Sequence, residues 1–481
     1  MTQWVRGFLG PRVRLHLCVF IVASGLLYWW LGPGDRPMRA RLPSLFSYLS
    51  KSGEPIVWTK DGLVALPAAY QANIYQAEGQ GVCSDRYGSQ YIRKFSASAT
   101  NHCDNTSTST LTCFTHEAHE SRVDSFCMGV SATVDPSSRS VSLDCSTRPW
   151  TDEDSAKGAM ELRHFPSYWY NTGPDVIFNQ YIHTKGEQET PVVSGDSKRN
   201  YLLVKREPTI ENLWHTLMQI SSLSLSLDIL RTTLTPGTQT PLFTTQDAKM
   251  SQVIILDDFD DGPFFELWNM FGDIPAARLQ AIPNPGTGKV VVPLPGGSNP
   301  IWGGDWVELH CEHSAIINAL VNRILDFYDI PHSPPERATL TLTLIDRRNQ
   351  RLLDNQDHLF AVLQKTFPTV KVQLVDFAQL PFREQVETVR KTDILVGVHG
   401  AGLTHELFLP SNSSVVEILP PTCDYKGFSN MANFLGHRYF AGKGREQDYT
   451  GITGDWHADT VFIDEDKLVQ LVEKAVAVAI S

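Results

Sequence analysis

The chain has 481 residues, a formal net charge of −12 and 42% apolar residues. That length can bury large cores and favours two domains, and the apolar content excludes a chain that is mainly disordered. The acidic balance argues against nucleic acid or an anionic membrane surface as the main partner, so an anionic ligand would need a local positive site.

Leu15 to Leu31 form an apolar run interrupted mainly by His16 and closing on Tyr28-Trp29-Trp30. Tryptophans at that place suit a membrane interface, and Arg6, Arg12 and Arg14 precede the run. A span usually needs about 20 residues, so the run is near the short end. A cleaved signal peptide is the alternative, but no clean small-x-small site follows. The reading is a transmembrane signal anchor at 15–31 after a cytoplasmic tail at 1–14, although Arg36, Arg39 and Arg41 weaken the charge asymmetry. The bulk of the chain then lies in the lumen of the endoplasmic reticulum or Golgi, as in a single-pass type II membrane protein. Residues 32–55, with Pro, Gly, Arg and Ser, read as a stem.

A cysteine-rich region follows at 56–159, with strand-like runs such as Ser140–Asp144. Cys83, Cys103, Cys113, Cys127 and Cys145 cluster there, whereas Cys311 and Cys423 stand alone. Such clustering indicates a disulfide-stapled subdomain in an oxidising compartment. Either one of these cysteines is left unpaired, or Cys311 and Cys423 are free. No Cys-x-x-Cys pair is present, so zinc is not expected. Asn105-Thr-Ser and Asn412-Ser-Ser are N-glycosylation sequons, the second expected close to the site described below.

From about 160 onward strands and helices alternate. Tyr201–Lys205, Val253–Leu256 and Val290–Leu294 read as strands. Asn212–Leu230 reads as a long helix with Thr209 as a candidate cap, and Ser314–Tyr328 as another helix. His332-Ser-Pro-Pro335 reads as a linker. Beyond it, Thr339–Ile345, Val370–Val375, Ile394–Val398 and Val415–Leu419 are strands, and Asn355–Thr366, Phe382–Lys391 and Asp464–Ile480 are helices. The alternation predicts an α/β fold of two doubly wound, Rossmann-like domains, 160–331 and 336–481, with a cleft between them.

The most informative stretch is Gly397-Val-His-Gly-Ala-Gly-Leu-Thr-His-Glu-Leu-Phe-Leu-Pro410. A buried strand ends at Val398, His399 follows, two glycines clear space around the backbone, and Thr404 marks a helix start. Glycines let N–H groups approach an anion, and a helix N-terminus favours negative charge. A glycine turn alone is more often tight packing; the order of strand, histidine, turn and helix makes this a phosphate-binding turn, with His399, Gly400, Ala401, Gly402, Leu403 and Thr404 as candidate contacts.

Arg347 in Asp346-Arg-Arg-Asn-Gln-Arg351 follows the first strand of the second domain and can bind phosphate bidentately, and Arg351 is a weaker candidate against a solvated charged turn. Glu417 falls inside a buried strand, where a carboxylate is costly unless paired. It either accepts from a ribose or sugar hydroxyl or pairs with Arg347. Asn212 and His215 are expected on one helix face looking into the cleft, although a satisfied helix histidine is the plainer reading. Asp257-Asp258-Phe-Asp260-Asp261 ends a strand. Asp258 and Asp260 could hold Mn²⁺, since hard cations want carboxylate oxygens, but an acidic turn is commoner.

These residues carry a resemblance. His399-Gly-Ala-Gly-Leu-Thr-His-Glu-Leu-Phe-Leu-Pro410 followed by Val416-Glu-Ile418 resembles the signature of glycosyltransferase family 61. Cys83-Ser-Asp-Arg-Tyr-Gly88, Leu111-Thr-Cys-Phe114, Arg122-Val-Asp-Ser-Phe-Cys127 and Asn212-Leu-Trp-His215 extend it, so that it covers most of residues 80–440. The resemblance implies a two-domain GT-B fold and an inverting transferase using a UDP-sugar, UDP-N-acetylglucosamine foremost. The acceptor would be a Ser or Thr hydroxyl of a lumenal protein. On that reading no cofactor is required: the donor's diphosphate lies at His399–Thr404 with Arg347 as its cationic partner, Asn212 and Glu417 line the donor site, and Asp258 and His215 are the candidates for the base. Three alternatives stand beside it: an Mn²⁺ enzyme using Asp258 and Asp260, a family member using UDP-xylose on glycans or polysaccharide, and a non-catalytic binding protein on a transferase fold. The terminus Ala477-Val-Ala-Ile-Ser481 is no Lys-Asp-Glu-Leu-type retention signal.

Overall fold

The computed structural model describes residues 64–67, 70, 81–119, 122–184, 199–283, 285–334, 337–348, 351–445 and 460–480. The expected tail, anchor at 15–31 and stem lie outside them. Among the described residues no helix is long and apolar enough to cross a membrane.

The first sheet is built from β1 (Thr100–Asn101), β2 (Thr110–His119), β3 (Arg122–Asp135), β4 (Ser140–Leu143), β5 (Ile182–Thr184), β6 (Asn200–Val204), β7 (Ser251–Ile255), β8 (Ile274–Arg278) and β9 (Thr287–Val292). Its order is β1-β2-β3-β9-β6-β7-β8, with β4 joining β3 to β5. Strands β9, β6, β7 and β8 are parallel, as the alternation predicts. The sheet as a whole is mixed, because the antiparallel β2–β3 hairpin adds along β9, with Cys127 opposite Val292. Strand β3 sends Phe126 and Met128 into one core and Cys127 into the other, as a strand covered on both faces must. The strands of the cysteine-rich region thus extend the first Rossmann-like sheet, and the border expected at 159/160 runs through it.

Disulfides join Cys103 to Cys145 and Cys113 to Cys127 within that region. The third joins Cys83 to Cys311, across 228 residues, so Cys311 is paired after all and Cys423 is the buried free thiol among the described residues.

The second sheet holds β10 (Thr341–Ile345), β12 (Lys371–Val375), β13 (Ile394–Val398), β14 (Ser414–Leu419) and β15 (Arg438–Lys443), while β11 (Leu352–Leu353) pairs with β16 (Thr460–Val461). Its order is β12-β10-β13-β14-β15 and every pairing is parallel. Strands β10, β13 and β14 are buried at every position, which explains the unbroken apolar run of β13 and places Thr341, Thr343 and Glu417 inside. In doubly wound sheets ligands bind beyond the carboxyl ends of the strands, where the strand order reverses. Here that point lies between β10 and β13. In the first sheet it lies between β6 and β9.

Two helix starts differ from expectation. The long helix runs Leu213–Thr232 and its cap is Asn212, not Thr209: the Asn212 side chain accepts from the Trp214 and His215 N–H groups. The helix of the glycine motif begins at Ala401, not Thr404, and runs to Phe408 with 3₁₀ geometry, because Gly400 has already turned the chain at φ 139°. One buried apolar cluster takes in Leu217 and Met218 from the long helix together with Leu403, Leu407 and Phe408 from the motif, so the two sheets' helices share a core.

Candidate functional site

Each reversal point carries a histidine held by a buried glutamate. In the second sheet His399 follows β13 directly, and its Nδ1 lies 2.6 Å from Glu417 Oε1 on β14. The hydroxyl of Tyr439 on β15 donates to the other oxygen, Oε2. Glu417 is therefore saturated by His399 and Tyr439 and does not pair with Arg347, contrary to one expectation. It is fully buried, so its role is to orient the imidazole.

Arg347, just past β10, and Arg351 both point at the turn after β13. Their Nη1 atoms lie 3.5 and 3.2 Å from the His399 carbonyl oxygen. A Cβ on Gly400 would stand 2.5 Å from Arg347 Nη1 and 2.6 Å from Arg351 Nη1, at a φ that side chains rarely adopt. Only glycine lets two guanidinium groups close on this backbone. Burial, and then the charge of Arg351, pull the Arg347 pKa down to about 10, which still leaves it cationic at neutral pH.

The rest of the motif divides into backbone and side-chain roles. The Leu403 N–H is given to Gly400 O at 2.9 Å, so the N–H groups of Ala401 and Gly402 head the helix ahead of its first internal bond. The Leu403 side chain is core and not ligand-facing. The Thr404 hydroxyl is buried without a hydrogen-bond partner among the described residues. Beneath the turn lies Glu406, fully buried, with both carboxylate oxygens unbonded among the described residues. Its pKa is raised well above the ordinary value by burial and by neighbouring Glu417. Asn412 lies outside this constellation: it precedes β14, whose first residue pairs with the first residue of β13, so it sits at the opposite edge of the sheet from His399.

At the first reversal point Glu207 follows β6, and its Oε2 lies 2.6 Å from Nδ1 of His215 in the first turn of the long helix. Glu207 is fully buried and its pKa is raised by that burial, with His215 pulling the other way. Gly296, beyond β9, makes room for it: a Cβ there would stand 2.7 Å from Glu207 Oε1. The His215 ring is edge-on to Trp302 at 4.6 Å. Asn212 turns its side chain onto the helix backbone as the cap and does not share a ligand-facing surface with His215.

Aromatic contacts connect the two histidines. Trp214, next to His215, meets Phe428 at 5.7 Å and Tyr425 at 6.4 Å, and these rings meet His399 at 5.5 and 5.0 Å. His399, the Arg347 turn and His215 are thus brought to one region. Asp258 is not: its carboxylate is 67% exposed and paired with Arg139 at 3.1 Å. Asp257 is buried against Arg206, and Asp261 is held by Arg278. The acidic turn does not fit an Mn²⁺ site: arginines occupy three of its carboxylates, and among the described residues no three His, Cys, Asp or Glu side chains group as metal ligands. A cavity of about 520 Å³ lined by His102, Arg148, Trp150 and Phe178 contains none of the expected site residues.

Residues 274–416 match the family described as Glycosyltransferase 61. The EGF domain-specific O-linked N-acetylglucosamine transferase of Drosophila melanogaster is 31% identical over 206 residues, 41% of this chain and 38% of that one. The protein of the same name from Xenopus laevis is 30% identical over 183 residues, covering 37% and 34%, and that from Rattus norvegicus 35% over 133 residues, covering 27% and 25%. The similarity thus spans less than half the length of each of these relatives. A solved structure, a glycosyl transferase family 9 protein from Veillonella parvula, overlaps 59% of this chain and 98% of its own at 8% identity and a TM-score of 0.23, too low to speak for the fold.

Proposed function

We propose, for a chain that carries a glycosyltransferase 61 domain, an inverting transfer of N-acetylglucosamine from UDP-N-acetylglucosamine to a Ser or Thr hydroxyl of a secretory-pathway protein. The parallel second sheet and the parallel β9-β6-β7-β8 part of the first, each with a reversal point, support a GT-B type arrangement. The observation that carries the reading is the convergence of Arg347 and Arg351 on the Gly400 turn between β10 and β13. Two cations, the first helical N–H groups and the His399 edge are what a sugar nucleotide's diphosphate needs.

In the proposed reaction the acceptor oxygen attacks the anomeric carbon as the bond from that carbon to the UDP oxygen breaks, so configuration inverts. Charge develops on the departing diphosphate, where Arg347, Arg351 and the turn's N–H groups stabilise it. His215 takes the acceptor's proton, and Glu207 holds its ring and stabilises the imidazolium that forms. Asp258 is a poorer base, being tied to Arg139 in solvent. The reading needs no metal, since Arg347 and Arg351 supply the positive charge that the departing diphosphate calls for.

The relatives' name supports N-acetylglucosamine as the sugar and an EGF domain as the first acceptor to try. Three disulfides suit an oxidising lumen. Replacing Arg347 by Ala tests the site: transfer from UDP-N-acetylglucosamine should fall at least about 100-fold with the fold retained. Near-normal turnover would move the diphosphate elsewhere.

A further inference from the structure

The cavity of about 520 Å³ on the first sheet, which holds no residue of the proposed transfer site, has the usual size of a small-molecule site. It is built from rigid parts. His102 and Cys103 follow β1, the Cys103–Cys145 disulfide ties that strand end to the segment after β4, and Cys103 bridges to Thr147. Strand β5, parallel to β4, supplies His183, and the helix Pro174–Tyr181 supplies Phe178. The Arg148 guanidinium donates to both Asp154 carboxylate oxygens at 2.6 and 2.8 Å and to the Asn101 carbonyl at 2.6 Å. It lies 5.8 Å from the Trp150 ring, which meets the His102 ring at 5.5 Å. The indole is therefore held in place before any ligand arrives.

The lining matches its charges and leaves its uncharged groups open. Arg148 pairs with Asp154, Arg163 pairs with Glu161 at 3.1 Å, and the Asp175 carboxylate accepts from Asn179 at 2.8 Å and from Ser167 at 3.0 Å. The side chains of His102, Thr147, Trp150 and His183 make no hydrogen bond among the described residues. His102 is only 5% exposed, and a buried polar group without a protein partner calls for one from a ligand or from water. Burial, and then the charge of Arg148, lower its pKa to about 4. At neutral pH the ring is thus uncharged, with one nitrogen donating and the other accepting.

We propose that this cavity is a saccharide-binding site distinct from the transfer site, taking a neutral sugar ring against Trp150 with its hydroxyls on His102, Thr147 and His183. In this lining an anion finds no uncommitted guanidinium and a cation no uncommitted carboxylate. A sugar needs what is left: an apolar ring face and uncharged groups that donate and accept. Such a ring has two sources. One is the chain itself: Asn105 of the Asn-Thr-Ser sequon is exposed in the turn three residues after His102, and the Asp104 N–H donates at 2.8 Å to the Ser146 carbonyl, next to Thr147. The other is a glycan on an incoming glycoprotein. The inference does not depend on the transferase reading.

The test is a ligand-observed NMR titration of the full chain, made in a glycosylating cell, with the two parts of an N-linked core as probes: N,N′-diacetylchitobiose and α-linked mannotriose. At least one probe should bind the Asn105→Gln chain. Binding by the wild type as well assigns the cavity to an incoming glycan, and binding only after Asn105→Gln assigns it to the chain's own. On the Asn105→Gln chain, Trp150→Ala and His102→Phe should each weaken binding at least about tenfold, equivalent to about 1.4 kcal/mol. Should either variant fail to fold, His183→Ala, at a half-buried position, should show the same loss. Arg347→Ala should bind the probe unchanged. No binding of either probe to the Asn105→Gln chain, binding kept by the folded cavity variants, or binding lost in Arg347→Ala would each overturn the site.

Discussion

Glu207 grips His215 through Oε2 and Nδ1 at 2.6 Å, and Glu417 grips His399 through the same ring atom at the same distance. Each carboxylate is fully buried and lies at the carboxyl end of its sheet. Aromatic rings pack on both histidines, but only His399 also has two arginines on its backbone carbonyl. The His399 setting suits a diphosphate and the His215 setting a proton acceptor beside an acceptor substrate.

His215→Ala should therefore lower kcat/KM by about 10² to 10⁴, the usual worth of a general base, with donor binding measured by calorimetry retained. Glu207→Gln should cost less, roughly 10- to 100-fold. A Glu207→Gln variant as active as the wild type would mean that Glu207 does not serve the base.

Glu406 makes a stability prediction with a fixed sign. Burial and Glu417 raise its pKa well above that of the unfolded chain. As pH rises past about 4.5 the unfolded state releases this proton while the folded state keeps it, so the folded state loses ground, at most about 1.4 kcal/mol per pH unit. Glu406→Gln keeps the shape and removes the proton. The variant's melting temperature should exceed the wild type's increasingly from pH 5 to pH 8 and approach it near pH 4. A constant difference across that range would show that Glu406 is not protonated in the fold.

The Cys83–Cys311 bridge closes a span of 228 residues. Replacing both cysteines by serine should cost about 2–5 kcal/mol, read by denaturant unfolding. Loss confined to activity, with stability kept, would contradict a structural role.

Much of this was legible in the sequence, and the reasons for the rest are physical. Buried parallel strands announce themselves: Ile394–Val398 was fixed to the residue, because such strands are apolar on both faces. The glycine turn and Arg347 were visible as chemistry following a strand. Arg351, the weaker candidate by sequence, reaches the same carbonyl oxygen as Arg347, a convergence that no periodicity reports. Glu207 was missed, although a carboxylate just past a buried strand and before a histidine-bearing helix start is a readable signal. Asn212 was given a ligand role when its common one, a helix cap, was the right one. Non-local pairing is hardest: nothing in the spacing of Cys83 and Cys311, or of β3 and β9, says that they meet.

The most direct test of the account is UDP release from a panel of UDP-sugars, with and without EDTA, by the wild type and by Arg347→Ala. The account predicts turnover of UDP-N-acetylglucosamine that is undiminished in EDTA and lost in the variant. Turnover abolished by EDTA, or a variant as active as the wild type, would contradict it.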